Sequence, residues 1–228
     1  MATFTVEQVA AKIQHTLVTP NASEADIKRV CEECLTYGFD GAMIQPVWIP
    51  LAKKLLAGSK VKVCTAFGYP MGGATTFTKV AEARDVIAAG ADEFDFMPNY
   101  GLFKSGRYDE FAQEIAAVVK AAEGRVVKIM LEFGMLDEEE KIKAATLAKE
   151  AGVTYLKNSS GWGQGGHATV EDIQLLRRIA GTQTRVKASG GIRTFEDAVK
   201  ILNAGAELIG TSGSVKIVTG QGEASTVY

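Results

Sequence analysis

The stretch Val126–Ser160, VVKIMLEFGMLDEEEKIKAATLAKEAGVTYLKNSS, contains one complete strand–helix–strand unit. It opens on a β-branched apolar run, Val126–Glu132. It then passes through a helical pattern behind an acidic cap, Asp137–Ala151, and returns to a second short run, Thr154–Asn158. Gly152 stands where a helix ends and its chain reverses. A helical crossover returns the chain to the edge where it began, so the two strands run parallel.

The same unit recurs in both directions. Upstream, an opening helix near Thr5–Lys12 precedes a first strand at Ile13–Leu17 and a helix over Asn21–Tyr37 that closes at Gly38. Strands at Gly41–Ile44, Val61–Phe67 and Glu93–Met97 follow, with helices at Ile49–Ala57, Phe77–Ala89 and Arg107–Glu123. Downstream come the helix Val170–Ala180, a strand at Arg185–Ala188, the helix Phe195–Asn203, a strand at Glu207–Gly210 and a last short helix. The phrases AAGADEFDF, EAGVTYLK and NAGAELIG form a weak repeat of helix end, glycine cap and new strand.

Eight units without a linker or composition break predict an α/β fold, a single (β/α)8 TIM barrel with a short N-terminal helix. The 228 residues form one domain over 1–228 on this reading, within the roughly 200–250 residues such barrels occupy. A doubly wound open sheet is the competitor. The count of eight argues against it, as does the lack of a GxGxxG fingerprint after the first strand.

Bulk composition narrows the function. A net charge of −2 gives no footprint for nucleic acid, and no apolar run approaches the roughly 18–20 residues of a membrane span. The start, MATFTVEQVAAKIQHTL, lacks the cationic head and apolar core of a signal peptide, which points to the cytoplasm. Three cysteines are too few for a disulfide scaffold. Cys31 and Cys34 fall in an amphipathic run with no second Cys/His pair, so they read as helix packing rather than as half a metal site. Two histidines are too few for a metal cluster, and no metal is expected.

Parallel strands covered on both faces should be almost continuously apolar. Several here carry charge: Asp95 in EFDF, Lys128 and Glu132 in VVKIMLE, Lys157 in YLKNSS and Lys187 in VKASGG. With alternation every second residue, Val127, Ile129 and Leu131 face the helices and Lys128 faces the barrel interior. A buried ion-pair network is the bland explanation. Two lysines late in consecutive strands, with an aspartate on another, favour catalysis, because barrel active sites are built at that end. Lys128 and Glu132 read equally well as structural partners or as groups that orient the others.

A lysine amine attacks a carbonyl only when neutral, a state held by about one in 2,500 at pH 7 for an unperturbed lysine. Burial and a second ammonium both favour the neutral form. Lys187 supplies the ammonium beside Lys157, the expected Schiff-base residue, and Asp95 is the candidate proton shuttle. The imine then serves as the electron sink, and no metal or organic cofactor is required. Two glycine-rich turns, SGGIRT (Ser189–Thr194) and IGTSGSV (Ile209–Val215), lie after the seventh and eighth strands, where barrels commonly hold phosphate. The loop Ser159–Thr169 reads either as a cover for the site or as a connector.

HTLVTP, GADEFDF, KNSSG, VKASGGIRT and IGTSGS, in this order along nearly the whole chain, resemble deoxyribose-phosphate aldolase, a class I aldolase family. The resemblance implies reversible cleavage of 2-deoxy-D-ribose 5-phosphate to D-glyceraldehyde 3-phosphate and acetaldehyde. It places the Schiff base on Lys157, the second lysine on Lys187 and the proton relay on Asp95. The phosphate and substrate contacts fall on Gly190, Gly191, Ser212, Gly213 and Thr16. Its partners are a small phosphorylated sugar and short aldehydes, and the family's barrels are often homodimers. The chain departs from the family at several places. The usual DHTLLKP has Gln14 and Thr19 for its Asp and Lys, which removes two charges near the site. KTSTG is KNSSG, MVINIG is Phe96–Gly101, and Met43 stands where many members have Cys. An aldolase for another short sugar phosphate, or a non-catalytic sugar-phosphate-binding barrel, are the alternative readings.

Overall fold

The eight short apolar runs become strands β1 (Ile13–Leu17), β2 (Gly41–Ile44), β3 (Lys62–Phe67), β4 (Glu93–Phe96), β5 (Val126–Met130), β6 (Tyr155–Lys157), β7 (Arg185–Ser189) and β8 (Leu208–Thr211) in the computed structural model. It describes residues 2–220, so the two ends of the expected 1–228 domain lie outside the described residues. Each strand is parallel to the next, and β1 closes on β8 through Ile13–Ile209 and Gln14–Gly210. Closure leaves no sheet edge unpaired. The open-sheet alternative is thereby excluded.

Helices α1 (Val6–Ala10), α2 (Glu24–Tyr37), α3 (Ile49–Leu55), α4 (Thr76–Ala89), α5 (Tyr100–Lys104), α6 (Tyr108–Ala121), α7 (Glu138–Glu150), α8 (Val170–Ala180), α9 (Phe195–Ala204) and α10 (Ser214–Thr219) accompany them. The starts of α1, α2, α4, α5, α7, α8 and α9 are set by side chains that accept an otherwise unpaired backbone N–H. Ser23 accepts from Asp26 N, which is why α2 begins at Glu24 rather than at Asn21. Asp137 and Thr194 head capping boxes of the same kind on α7 and α9. Gly38, Gly90 and Gly205 end α2, α4 and α9 in the left-handed conformation. The helix α5 was not expected. Pro98 and Gly101 obscure its pattern, but Asn99 caps it by accepting from Leu102 N.

The outward strand faces, including Ile13, Val63, Phe94, Ile129, Val186 and Ile209, pack with helix residues such as Ile27, Phe111, Ile115 and Leu176 in one continuous core. Cys31 and Cys34 belong to it, on the inner side of α2. Burial pushes Cys31 up to about 11 and Cys34 higher still. Both stay neutral thiols in the packing, as read from the sequence.

One ion pair lies outside the barrel interior and is fully buried. Lys79 Nζ of α4 is 2.7 Å from Glu114 Oε1 of α6 and donates to Gly72 O at 2.7 Å. The same Glu114 oxygen accepts from Asn99 N at 2.9 Å, so two loops are tied to one pair. Glu114→Ala is expected to destabilise the protein by about 3–5 kcal/mol, because the remaining ammonium is buried without a counter-charge. The shift of the urea midpoint measures this, and Lys79→Met with Glu114→Leu should recover most of the loss.

Candidate active site

Asp95 and Lys187 sit on β4 and β7, strands that are not neighbours, and their contact therefore spans the barrel interior. Asp95 is wholly buried, and its Oδ2 accepts from Lys157 Nζ and from Lys187 Nζ, each at 2.8 Å. Lys157 and Lys187 are themselves register partners across β6 and β7. The three residues expected to carry the chemistry thus meet at a single carboxylate oxygen.

Further charges extend this cluster down the barrel. Lys128 Nζ lies 3.5 Å from the other Asp95 oxygen and 2.7 Å from Glu93 Oε2. Glu93 Oε1 is 3.0 Å from Lys62, which also pairs with Asp40 at 2.8 Å. Gln14, the departure noted on the first strand, is embedded in the same network. Lys128 thus pairs with Glu93 and also faces Asp95. Burial alone would raise the pKa of Asp95, but the ammonium groups of Lys157, Lys187 and Lys128 hold it well below the usual carboxylate range. Burial dominates at Lys187 and, with the neighbouring Lys157 and Lys128, brings it down to about 7 despite the pull of Asp95.

Lys157 differs from Lys187 in access. It lines a cavity of about 510 Å³ of empty space at the C-terminal mouth of the barrel, and Lys187 lies behind that wall. The cavity is also lined by Thr16, Gly190, Gly191, Ser212 and Gly213, so the structure gathers every expected contact residue on one surface. Ser160 and Arg193, which sequence reasoning did not single out, line it too. Arg193 stood within the quoted SGGIRT motif, and its charge beside a glycine turn was the overlooked signal.

The glycine turns have structural duties as well. Gly190 and Gly191 have φ of +93° and +74°, which side chains rarely adopt. A Cβ on Gly190 would lie 2.6 Å from Gly166 O, and one on Gly191 would strike the His167 ring. Ala168 N donates to Gly190 O at 2.9 Å, so the loop Ser159–Thr169 is seated on this turn. The first turn of α9 is occupied by its own capping box and carries Glu196 and Asp197. Gly213 N donates to Thr211 Oγ1 at 3.0 Å.

Glu132 lies beyond its predicted strand, because β5 stops at Met130. It adopts φ +43° and grips the cavity wall, accepting from Ser160 N and, at 3.0 Å, from Ser160 Oγ. Asn158 and Ser189 exchange two hydrogen bonds, Asn158 Nδ2 to Ser189 O at 3.1 Å and Ser189 N to Asn158 Oδ1 at 2.9 Å. The Asn in KNSSG thus ties the ends of β6 and β7 together. Among the described residues, no three His, Cys, Asp or Glu side chains converge as a metal site. Nor is any described helix long and apolar enough to cross a membrane.

A closed parallel barrel with a cavity at its C-terminal mouth defines a (β/α)8-barrel protein of the enzyme class. The model of the DeoC/LacD family aldolases matches residues 10–220. A deoxyribose-phosphate aldolase of Dictyoglomus turgidum is 49% identical over 216 residues, covering 95% of this chain and 98% of its own. One from Streptococcus sanguinis is 46% identical, covering 95% and 97%. The tetrameric deoxyribose phosphate aldolase of Aeropyrum pernix superposes with a TM-score of 0.85 at 34% identity, covering 94% and 91%. The chain belongs to the DeoC/LacD aldolase family.

Proposed function

We propose that the protein is a class I aldolase that reversibly cleaves 2-deoxy-D-ribose 5-phosphate to D-glyceraldehyde 3-phosphate and acetaldehyde. The observation that carries this reading is the double position of Lys157, on the cavity wall and 2.8 Å from the carboxylate it shares with Lys187.

The neutral Lys157 amine adds to the C1 aldehyde of the open-chain sugar, and loss of water gives the iminium. As the C3 hydroxyl releases its proton, the electron pair of the C2–C3 bond moves to C2 and forms the enamine. Glyceraldehyde 3-phosphate leaves, C2 takes up a proton, and water releases acetaldehyde and the free amine. The proton steps suit Lys187, which at about 7 can both give and accept near neutrality. Asp95, held ionised, anchors both amines. This transfers the expected shuttle role from Asp95 to Lys187, with Asp95 as the fixed acceptor between them.

The phosphate rests against the Gly190–Gly191 turn and Ser212–Gly213, in a cavity that Arg193 and Thr16 also line. No metal or organic cofactor enters the chemistry. The site residues form one catalytic domain that acts in the cytoplasm, and the family relationship supports a homo-oligomer. The changes at Gln14 and Thr19 favour a second reading, an aldolase for another short sugar phosphate. Assay of a panel of phosphorylated sugars for acetaldehyde release decides between them.

Borohydride added with acetaldehyde is expected to fix a two-carbon adduct on Lys157, located by peptide mass mapping. An adduct on Lys187 or Lys128, or none at all, overturns the assignment. A binding protein without catalysis gives no adduct.

A further inference from the structure

Gln14 is fully buried and is bonded to charged groups on both sides. Its Oε1 accepts from Lys187 Nζ at 2.6 Å, while its Nε2 donates to Asp40 Oδ2 and Glu93 Oε2, each at 3.0 Å. Only one orientation of the amide satisfies an ammonium and two carboxylates, because the oxygen must face the donor and the NH2 the acceptors. The side chain therefore stands as a neutral layer between Lys187 and two of the carboxylates beneath it.

We propose that Gln14 is a positioning residue that acts through Lys187, giving its amine an acceptor without a negative charge and shielding it from Asp40 and Glu93. This rests on the reading of Lys187 as the proton-carrying group. The other groups that face Lys187 are Asp95 on β4, Lys128 on β5, Lys157 on β6 and the neutral Cys64 on β3. On β8 the facing residue is Gly210, where a Cβ would lie 3.2 Å from Lys187 Cε. Of the contacts Lys187 makes through Nζ, one is to a carboxylate and one to this amide. Replacing the amide oxygen by a carboxylate would favour the ammonium, and removing it would favour the free amine.

Two variants read this in opposite directions. In Gln14→Glu, the near-neutral limb of the kcat–pH profile is expected to move alkaline by about one unit or more. In Gln14→Leu, the same limb moves toward acid, and kcat at pH 7 falls more than KM changes. A merely structural Gln14 lowers the unfolding temperature of both variants and leaves both profiles in place. That outcome, or shifts of the same sign, overturns the proposal. If Gln14→Glu fails to fold because three carboxylates crowd together, the sign of the Gln14→Leu shift still decides. An unshifted profile beside a normal Lys157 adduct in the wild type refutes this inference alone, whereas loss of that adduct refutes the catalytic reading beneath it.

Discussion

Lys187→Leu should lower kcat by roughly a hundredfold to ten-thousandfold, the range that a positioned proton-transfer group contributes, with a much smaller change in KM. Lys187 does not line the cavity, so substrate binding loses little direct contact. Its loss removes the buried amine placed at about 7, and the limb of the pH profile that it produces should vanish. Two roles are open to Lys187, proton carrier and fixed positive charge beside Asp95. The arginine variant separates these two roles. Lys187→Arg keeps a positive charge beside Asp95 but cannot release its proton in this range. If Lys187 acts only as a fixed charge, arginine restores much of the rate. If it carries the proton, arginine does not. Pre-steady-state trapping with borohydride adds a second check, because Lys187→Leu should still form the Lys157 adduct, only more slowly.

The fold was legible because the local signals agree with the global one. β1 and β2 fall on Ile13–Leu17 and Gly41–Ile44 as read, since short β-branched or apolar runs sit between glycine and polar breaks. Gly38, Gly90 and Gly205 mark helix ends that only a residue without a side chain occupies easily. The charges of Lys157, at the end of β6, and of Lys187, midway along β7 rather than late in it, were also visible, because charge is conspicuous in strands that should be apolar. What alternation along one strand cannot give is the partner across the lumen. Asp95 meets lysines from β6 and β7, and the Gln14 amide reaches Asp40, Glu93 and Lys187 from three further places in the chain. Those pairings depend on closure and shear of the whole barrel. Glu132 was misplaced for a local reason. Its residue type extends the pattern of β5, yet the backbone turns left-handed there to put the carboxylate under Ser160.

The end of the cavity proposed to hold phosphate gives the sharpest test of substrate. Ser212 lies on the wall with Gly213, beside the turn at Gly190–Gly191, and Thr211 Oγ1 donates to Ile192 O at 3.0 Å between the two loops. Ser212→Ala should change little if the anion is held chiefly by backbone N–H groups and Arg193. Ser212→Asp puts a carboxylate where a dianion must sit. Like charges in such contact cost several kcal/mol, and each 1.4 kcal/mol is tenfold. The KM for deoxyribose 5-phosphate is therefore expected to rise roughly a hundredfold or more. Turnover of unphosphorylated deoxyribose, which leaves that end of the cavity empty, should stay close to its wild-type value. The comparison of the two sugars removes the ambiguity of a damaged fold, since damage would lower both. It also tests the choice of substrate in the unmodified enzyme. A wild type that handles both sugars with the same kcat/KM makes no use of a phosphate, and the wall of Gly190, Gly191, Ser212 and Gly213 would then be a packing device for the loop Ser159–Thr169.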